Sequence, residues 1–527
     1  MNIRIRRAMA TAAACLFVAA AGCTDTMVEP KSTVTEANIF TDEASYQKFM
    51  AKLYAGLAVT GQEGPNGNAD IVSNDEGFMS YTRLLWNMNE LPTDEGALAW
   101  GDLAIQELNQ DIWATTNSFI QAMYYRIYFQ VVLANEFLRQ TTDEKLASRG
   151  HTAIKTEVGF YRAEARFLRA LSYWHAIDFF GDVPLVTDAD QVGGAPPAQA
   201  TRAEIYNYIV QELTEAIPQL PVGGAGTYGR ANQTAGHMLL AKVYLNAAVY
   251  TGTPAWSQAM AEIQAVINGP YTLNPHWRNN FLADNNTSNE IIFPVTQDGK
   301  RTQNWGGTTF LVHAACGGDM SNDALGVNGC WWGFRMKPQA YRNFFPPYQV
   351  AGDTARTSFF HGTTVEMANL QNFTDGIAAP KYSNRTSAGV AGSDGNFPDT
   401  DYVMFRLADA YLMYAEAVLR GGGGSAAQAL TYVNLLRRRA YGNTSGDISA
   451  PQLTLDFVLA ERSRELLFEG QRRNDLIRFG KFTGNSYIWA WKGGTQAGGG
   501  LDATRALYPI PASELVANPN LKQNPGY

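Results

Sequence analysis

The chain is poor in cysteine, in histidine and in charge, and each shortage excludes a class of protein. Four cysteines among 527 residues are too few for a disulfide scaffold or a zinc-ribbon array. Six histidines, none of them four residues from another, do not form the helical zinc motif of metalloproteases. Charged residues make up 17% and aromatic residues 12% of the chain, a composition that argues against a disordered protein.

The sequence also has no long basic block. Its 49 acidic residues outnumber its 41 basic ones, and the formal net charge is −8. Binding of nucleic acid by phosphate neutralisation requires clustered positive charge, so we exclude a nucleic-acid partner. The length is ample for a buried hydrophobic core that needs neither disulfide nor metal to fold, and by itself it allows two or three domains.

The common catalytic and cofactor motifs are missing. The chain contains no GxSxG, HExxH, CxxC or Walker A pattern. Residues 224–229 do match GxGxxG, but the proline-rich segment 217–221 precedes them instead of a strand. Without a surrounding βαβ unit, we interpret this segment as a loop between helices. The sequence therefore predicts no cofactor and no metal.

The N-terminus has the pattern of an export signal. A basic start precedes the uncharged run 8–21, which is too short to span a bilayer and has the length of a signal core. The run ends in small residues before Cys23, as in a bacterial lipobox, with Ala20 where leucine is usual. We predict a signal peptide over 1–22, diacylation of Cys23 and a tether over 23–40. A plain secretory signal with an incidental cysteine is the alternative.

Helical periodicity dominates the remaining chain. The longest example, 157–180, carries an apolar stripe and an arginine face that we interpret as solvated or ion-paired. Further helices are predicted over 44–58, 116–139, 201–217, 233–250, 256–267, 401–419, 426–441 and 453–470. Several form pairs of approximately tetratricopeptide length, which favours a helical-repeat architecture.

Between residues 269 and 400 the helical period disappears. Glycine, asparagine and aspartate become dense, and 290–295 is the one segment that reads as a short strand. Long irregular stretches in compact domains are more often functional than accidental. Candidate functional residues are therefore sought here first.

Two cysteines in this stretch, Cys316 and Cys330, are predicted to form a disulfide, because an exported protein meets oxidising conditions. The bond would order the loop before a ligand arrives and so lower the entropy cost of binding. Asp319 and Asp323 lie inside the loop, but their spacing does not match an EF-hand, and we interpret them as turn residues.

Some tryptophans stand in loop-like segments and are open to two interpretations. These are Trp86, Trp305, Trp331 and Trp332. An indole face suits the apolar C–H face of a sugar ring, while nearby polar side chains bond its hydroxyls. The alternative is that the rings cover the core under long loops.

An acidic group stands beside Trp86 and Trp100. Glu90, Asp94 and Glu95 provide the carboxyls that a glycosidase needs, about 5–10 Å apart across a sugar cleft. Sequence does not give that separation. The alternative is that they cap helices and turns.

Several longer motifs occur in order along the chain. They are 161–174 (YRAEARFLRALSYW), 178–185 (DFFGDVPL), 229–245 (GRANQTAGHMLLAKVYL), 405–417 (FRLADAYLMYAEA), 433–440 (VNLLRRRA), 461–478 (ERSRELLFEGQRRNDLIR) and the ending 523–527 (QNPGY). Together they resemble the SusD/RagB family of surface nutrient-binding lipoproteins over nearly the whole mature chain.

That resemblance implies a mainly α fold. Its core is a right-handed α–α superhelix of four tetratricopeptide-like helix pairs, with loop-rich segments and small β elements packed on it. It implies a single SusD-like domain over 41–527, with an N-terminal part over about 41–230 and a C-terminal part over about 270–527. The charges of 461–478, like Arg162 and Glu164, then belong to the scaffold.

The resemblance also implies a role without catalysis. Family members sit as lids on SusC-like TonB-dependent transporters in the outer membrane and capture oligosaccharides, or in some branches peptides. We therefore expect a surface-exposed, lipid-anchored glycan-binding protein. An oligopeptide-binding protein, a glycoside hydrolase and a helical scaffold that binds only protein are the alternatives.

Motifs do not carry the ligand residues of this family, which lie in variable loops. By position and chemistry, we expect Trp86 and the Trp305, Trp331 and Trp332 region to bind the ligand. Arg83 and Asn89 are the hydrogen-bonding candidates.

Overall fold

Most of the amphipathic segments predicted as helices are helical, and some have defined caps. The computed structural model describes residues 39–71, 76–345 and 352–527. The Thr201 hydroxyl accepts a hydrogen bond from the backbone N–H of Glu204, and the Glu204 carboxylate accepts one from the backbone N–H of Thr201. This capping box begins the helix Arg202–Ala216. The longer helices are Ala44–Ala58, Tyr81–Glu90, Ser118–Gln140, Lys155–Phe180, Arg202–Ala216, Gln233–Leu245, Trp256–Ile267, Leu407–Leu419, Ala426–Tyr441 and Leu455–Glu465.

Eight of these helices form four packed pairs, which occur one after another along the chain. Ala44–Ala58 packs on Ser118–Gln140, where the Gln130 amide donates to the Leu53 carbonyl at 2.7 Å. The other pairs are Lys155–Phe180 with Arg202–Ala216, Gln233–Leu245 with Trp256–Ile267, and Leu407–Leu419 with Ala426–Tyr441. A helix of each pair also contacts the next pair. This is the superhelix of four tetratricopeptide-like pairs that the resemblance implied.

Shorter helices complete the list and fill the connections. They are Leu103–Asn109, Asp143–Ser148, Ala247–Thr251, Gly307–His313, Pro338–Asn343, Thr354–Thr357, Arg472–Arg478 and Ala512–Ala517. Three of them lie between residues 269 and 400, where the sequence predicted no helix. Residues 46–527 form one compact unit, and the described residues before them, 39–45, form the start of the first helix and the turn in front of it.

Three small antiparallel sheets pack among the helices. Gly96–Leu98 pairs with Phe334–Met336, Val183–Pro184 with Gln199–Ala200, and Ile291–Val295 with Tyr402–Arg406. The strand expected at 290–295 is therefore present.

The boundaries of two predicted helices are wrong. The segment expected as a helix over 401–419 begins as the strand Tyr402–Arg406, because its aromatic and β-branched side chains are buried on both faces against Ile291–Val295. The helix expected over 453–470 ends at Glu465. Beyond it Phe468 takes a positive φ of 61° and packs against Trp86 and Phe334. Tertiary packing ends the second helix early, whereas the aromatic and β-branched residues of the first segment themselves favour a strand.

The helix Leu455–Glu465 is buried although half of it is charged. Glu461 accepts from three guanidinium groups, those of Arg356, Arg437 and Arg464, at 2.6–2.8 Å. Arg462 donates to Asp409 and Asp475 at 2.7 Å. Because each buried charge has charged partners on neighbouring elements, this motif ties the last helices to the rest of the fold, the scaffold role expected for it.

Arg406 is the centre of this network. It donates to Glu290 at 2.8 Å and to Glu465 and Glu469 at 2.7 Å, and all four side chains are buried. Burial raises the pKa of Glu290, but the charges of Arg439 and Arg406 outweigh it and hold that pKa at about 2. Glu290 is therefore ionised at neutral pH.

Arg162, Arg166 and Arg169 are also paired. Arg162 donates to Asp143, Arg166 to Glu212, both at 2.8 Å, and Arg169 to Glu212 at 2.6 Å. Glu164 binds Arg230. The arginine face of this helix is thus an ion-paired surface between helices, one of the two interpretations that the sequence favoured.

The predicted signal segment 1–22, the lipidation site Cys23 and nearly all of the predicted tether 23–40 lie outside the described residues. Within the described residues, the search for a helix long and apolar enough to cross a membrane finds none.

Replacing Arg406 tests how far the fold depends on the buried network. Arg406→Leu leaves Glu290, Glu465 and Glu469 crowded without their shared cation, so we expect the free energy of unfolding to fall by about 3–5 kcal/mol. Urea denaturation at pH 7 measures it. The control is Arg438→Leu, which removes an exposed pair with Asp447 and is expected to leave the midpoint unchanged. Equal midpoints for the two variants would contradict the central role of Arg406.

Candidate functional site

Three half-buried tryptophans form a continuous aromatic surface, which we call the platform: Trp100, Trp305 and Trp331. The ring centroids of Trp100 and Trp331 are 6.4 Å apart, and those of Trp331 and Trp305 are 6.2 Å apart. Although the three residues are far apart in sequence, their rings line one patch. Of the predicted site residues, Trp305 and Trp331 are thus brought together.

A two-stranded sheet places two of these rings at the same edge. Gly96–Leu98 runs antiparallel to Phe334–Met336, with Leu98 opposite Phe334, and the Ala99 N–H donates to the Gly333 carbonyl at 2.9 Å. Trp100 follows the first strand and Trp331 precedes the second. The Trp100 indole N–H donates to the Trp331 carbonyl at 2.9 Å, which locks the two segments together.

The loop that directly precedes Trp331 is closed covalently. Cys316 and Cys330 form a disulfide with their Cα atoms 4.7 Å apart. The Trp331 N–H donates to the His313 carbonyl and the Trp332 N–H to the Cys316 carbonyl, both at 2.9 Å. The loop is thus bonded at its base before any ligand is present, which lowers the ordering cost of binding.

His313 supports Trp331 from behind. Its ring stacks on the indole with centroids 4.6 Å apart and planes 21° apart. Its two ring nitrogens lie 2.6 Å from the Gly329 carbonyl and 2.9 Å from the Asn396 carbonyl, which fixes the ring on both sides. Burial lowers the pKa of His313, although both backbone contacts oppose the shift.

Trp305 is held at the other end of the platform. Its ring packs on Phe397 with centroids 4.7 Å apart, and its indole N–H donates to the exposed Asn66 side chain at 3.1 Å. The Asn328 amide, also exposed, donates to Asn396 at 2.5 Å. Hydrogen-bonding side chains therefore lie beside the rings at the surface.

Arg83 lies beneath the platform and not on it. Its guanidinium carbon is 5.3 Å from the Trp100 ring centroid and 4.4 Å from that of Phe310, and the side chain is buried. Its Nη1 donates to the Gly77 carbonyl at 3.2 Å. We therefore assign Arg83 the positioning of Trp100 and Phe310, where the sequence suggested a direct hydrogen bond to ligand.

The structure corrects the expectation for Trp86 and Asn89. Trp86 is completely buried among Phe310, Phe334 and Phe468, and its indole N–H donates to the Phe468 carbonyl at 3.1 Å. Asn89 lies on the same helix and is also buried. Neither side chain offers a surface to a ligand, because Tyr81–Glu90 is a core helix.

Trp100 is the site residue that the sequence missed. The sequence places it only beside carboxylates, but the Gly-Asp pair that follows it favours a surface turn, and both of those residues are exposed. Trp332, the last predicted residue, is exposed but does not share the platform; its ring meets Phe373 at 5.7 Å.

The acidic group beside Trp86 is buried and bonded, and so does not line a cleft. Arg472 donates to both Asp94 oxygens at 2.7 Å, and two backbone N–H groups donate to Glu90. Burial and then the Glu95 charge raise the pKa of Glu90 well above its usual range. Burial raises the pKa of Glu95 to about 7, although Arg472 opposes the shift. The interpretation as structural carboxyls is therefore the one that fits.

The described residues contain no group of three or more histidine, cysteine, aspartate or glutamate side chains that could hold a metal ion. Asp319 pairs with His361, and Asp323 with Arg385 at 2.7 Å.

Comparison with known proteins identifies the family. The SusD family model matches residues 271–527, and a second model, described as starch-binding and associating with the outer membrane, matches residues 36–245. The chain is 33% identical to the starch-binding protein SusD of Bacteroides thetaiotaomicron, over 91% of this chain and 92% of that protein. The chain belongs to the SusD family. SusD-like protein P2 of Formosa agariphila is 27% identical over 80% of this chain and 83% of its own length.

Solved structures of SusD-family proteins share the fold. A SusD superfamily protein from Parabacteroides distasonis has a TM-score of 0.70, with 21% identity, and covers 94% of this chain and 100% of its own. The surface glycan-binding protein A of Bacteroides thetaiotaomicron, solved with laminarihexaose, has a TM-score of 0.68 with 20% identity and covers 92% of this chain and 99% of its own. The relatives whose names describe a ligand are thus named for binding carbohydrate.

Glu95 makes stability depend on pH. Its pKa of about 7 in the folded chain lies above the ordinary value near 4.5, so the folded chain keeps a proton that the unfolded chain has lost. The stabilisation of the folded chain by this proton is fully present below about pH 4.5, and it is lost as the pH rises through about 7. Glu95→Gln should remove this part of the slope, up to about 1.4 kcal/mol per pH unit.

Urea denaturation from pH 4.5 to 7.5 measures the slope in the wild type and in the variant. Asp456→Asn changes an exposed carboxyl and is the control, expected to keep the wild-type profile. Parallel profiles for wild type and Glu95→Gln would contradict the shifted pKa.

Proposed function

We propose that this SusD-family protein captures glycan fragments at the cell surface and delivers them to a SusC-like TonB-dependent transporter in the outer membrane. In this proposal, lipid on Cys23 anchors the protein to that membrane and the platform binds the sugar. The family membership supports the role, since one of the matching family models is described as associating with the outer membrane.

One observation carries the proposal: three indole rings from distant parts of the chain lie together, each partly exposed, on a pre-ordered support. Unused tryptophan faces of this area are unfavourable in water, and sugar rings present apolar C–H faces of matching shape. Asn66 and Asn328 stand beside the rings to bond hydroxyl groups. Binding of this kind is reversible and requires no chemistry.

Glucans are the first ligands to test. The relative that is 33% identical is named for starch binding, and a protein of the same fold was solved with laminarihexaose. We therefore favour an oligomer of glucose, linked either as in starch or as in laminarin.

We also propose that the protein is not an enzyme. A glycosidase needs two carboxyls that face a cleft. The carboxyls that the sequence offered for this task, those of Glu90, Asp94 and Glu95, are buried, and Asp94 is paired with Arg472.

Oligopeptide capture is a second candidate, because a groove of about 830 Å³ lies between Pro338–Asn343 and Leu455–Glu465. Its lining mixes the apolar Phe457 and Ile488 with charges of both signs, among them Arg342 and Asp456. Such a mixture suits side chains of a peptide.

Calorimetry with the mature protein, residues 24–527, tests the proposal. The ligands are maltoheptaose, laminarihexaose, other plant, microbial and host glycans, and peptide mixtures, with product analysis after long incubation. We expect saturable binding of one glycan class and no shortened product. Binding of peptides alone would favour the second candidate, and cleaved glycan ends would overturn the absence of catalysis.

Variants of the platform locate the site. Trp331→Ala and Trp305→Ala each remove one ring, and we expect each to weaken glycan binding roughly tenfold or more. Phe160→Ala removes an exposed ring from the helix Lys155–Phe180 and serves as the control with unchanged affinity. Full affinity in both tryptophan variants would exclude the platform as the binding site.

Anchoring is tested through Cys23. The full-length Cys23→Ala variant cannot accept a diacylglyceryl group, so we expect it to leave the outer-membrane fraction and to lose labelling by radioactive palmitate. Two acyl chains give stable attachment, so the wild type should stay in the membrane fraction after a high-salt wash that removes peripherally bound protein. A labelled, membrane-bound variant would contradict the predicted lipobox.

A further inference from the structure

Two consecutive tryptophans face different neighbours. The Trp331 ring lies on the platform with His313 behind it, whereas the Trp332 ring contacts Phe373, with centroids 5.7 Å apart and planes 57° apart. The Trp332 side chain remains 48% exposed. The two residues that follow the disulfide-closed loop therefore present two aromatic surfaces, and the platform accounts for one of them.

The backbone at Trp332 favours glycine. Its φ of 53° lies in the left-handed region, which a bulky residue adopts only when the surroundings enforce it. Here the enforcing contacts are the N–H bond to the Cys316 carbonyl and the disulfide next to it. Glycine at this position would relieve the strain, yet the chain has a tryptophan with an exposed indole. This indicates that the ring itself has a function.

A recess of about 380 Å³ opens beside this second surface and shares Phe373 as part of its wall. Its lining consists of small and hydroxyl-bearing residues, among them Gly317, Thr363, Thr364 and Thr374, with one pair of ionisable side chains, Asp319 and His361. The volume lies in the lower range of small-ligand sites. Adding a Cβ at Gly317 would bring it within 2.5 Å of the Phe373 ring, so the glycine is what lets the loop close on that ring.

We propose that Trp332 and this recess, together the Trp332 subsite, bind a further sugar unit of the glycan that lies on the platform. The inference rests on the proposed function and adds a second contact that selects longer chains. Trp332 directly follows Trp331, so their Cα atoms are about 3.8 Å apart. In this proposal, a chain that leaves the platform beside Trp331 continues past that residue into the subsite.

The chemistry of the recess favours a sugar. An indole and a phenyl ring meet the apolar face of a pyranose, while threonine hydroxyls offer both donors and acceptors. Asp319 binds His361 at the surface, with the Asp319 side chain 89% exposed, so its carboxylate has room to accept from sugar hydroxyls as well. A peptide side chain would find little apolar depth here.

The test compares short and long oligomers by calorimetry. Maltotriose is short enough for the platform alone, and maltoheptaose is long enough for both surfaces; laminaritriose and laminarihexaose form the second series. We expect Trp332→Gly to weaken binding of the long oligomer roughly five- to tenfold and to leave the short one unchanged. Trp331→Ala should weaken both. Trp332→Tyr keeps a ring and should restore most of the difference.

Trp332→Gly also guards against misfolding, because glycine relieves the left-handed strain and the thermal midpoint should not fall. If Trp332→Gly lost the same affinity for short and long oligomers, the second contact would be overturned. Full affinity of this variant for the long oligomer would overturn it as well. If the wild type bound no oligomer of either series and no glycan of the wider panel, the proposed function and this inference would both fail. Wild-type binding with an unaffected Trp332→Gly would remove the inference alone.

Discussion

The fold depends on buried pairs of guanidinium and carboxylate groups. Leu455–Glu465 and Arg472–Arg478 carry these charges into the interior, where partners on the helices, on strand Tyr402–Arg406 and on the segment before Gly96 neutralise them. Each charge is costly to bury and is tolerated only when its partners are in place. The last helices are thus compatible with one arrangement of the preceding chain. One of these pairs, Arg472 with Asp94, connects the last helices to the segment that leads to Trp100.

Much of the helical framework could be predicted from sequence, because a 3.6-residue apolar period survives in helices that bury one face. The failures occur where both faces are buried. Tyr402–Arg406 stands directly before a periodic helical segment but pairs as a strand with Ile291–Val295, and the segment after Glu465 leaves the helix to place Phe468 against Trp86. Both features depend on contacts with residues that are distant in sequence, and a local sequence pattern carries no information about such contacts. The expected boundaries of the single domain remain a prediction.

The candidate site was accessible to prediction only in part. Trp305 and Trp331 stand in a segment rich in glycine and asparagine, a context that is typical of loops, and both side chains are partly exposed. Trp86 has a similar polar neighbourhood, yet its helix is covered by the aromatic side chains of three other segments. Trp100 reaches the platform because of the register between two three-residue strands, which are too short to leave a period in the sequence. Composition therefore indicates that several loops form a surface site, but it does not identify the residues that belong to the site.

The short sheet between Gly96–Leu98 and Phe334–Met336 joins the two stretches that the family models match separately, 36–245 and 271–527. The first stretch contributes Trp100 to the platform, and the second contributes Trp305 and Trp331. A gene rearrangement that exchanged one half between paralogues would split this set of rings. Ligand preference in such a lineage should therefore diversify through point changes and loop insertions on both halves together, and the two halves should share one phylogeny.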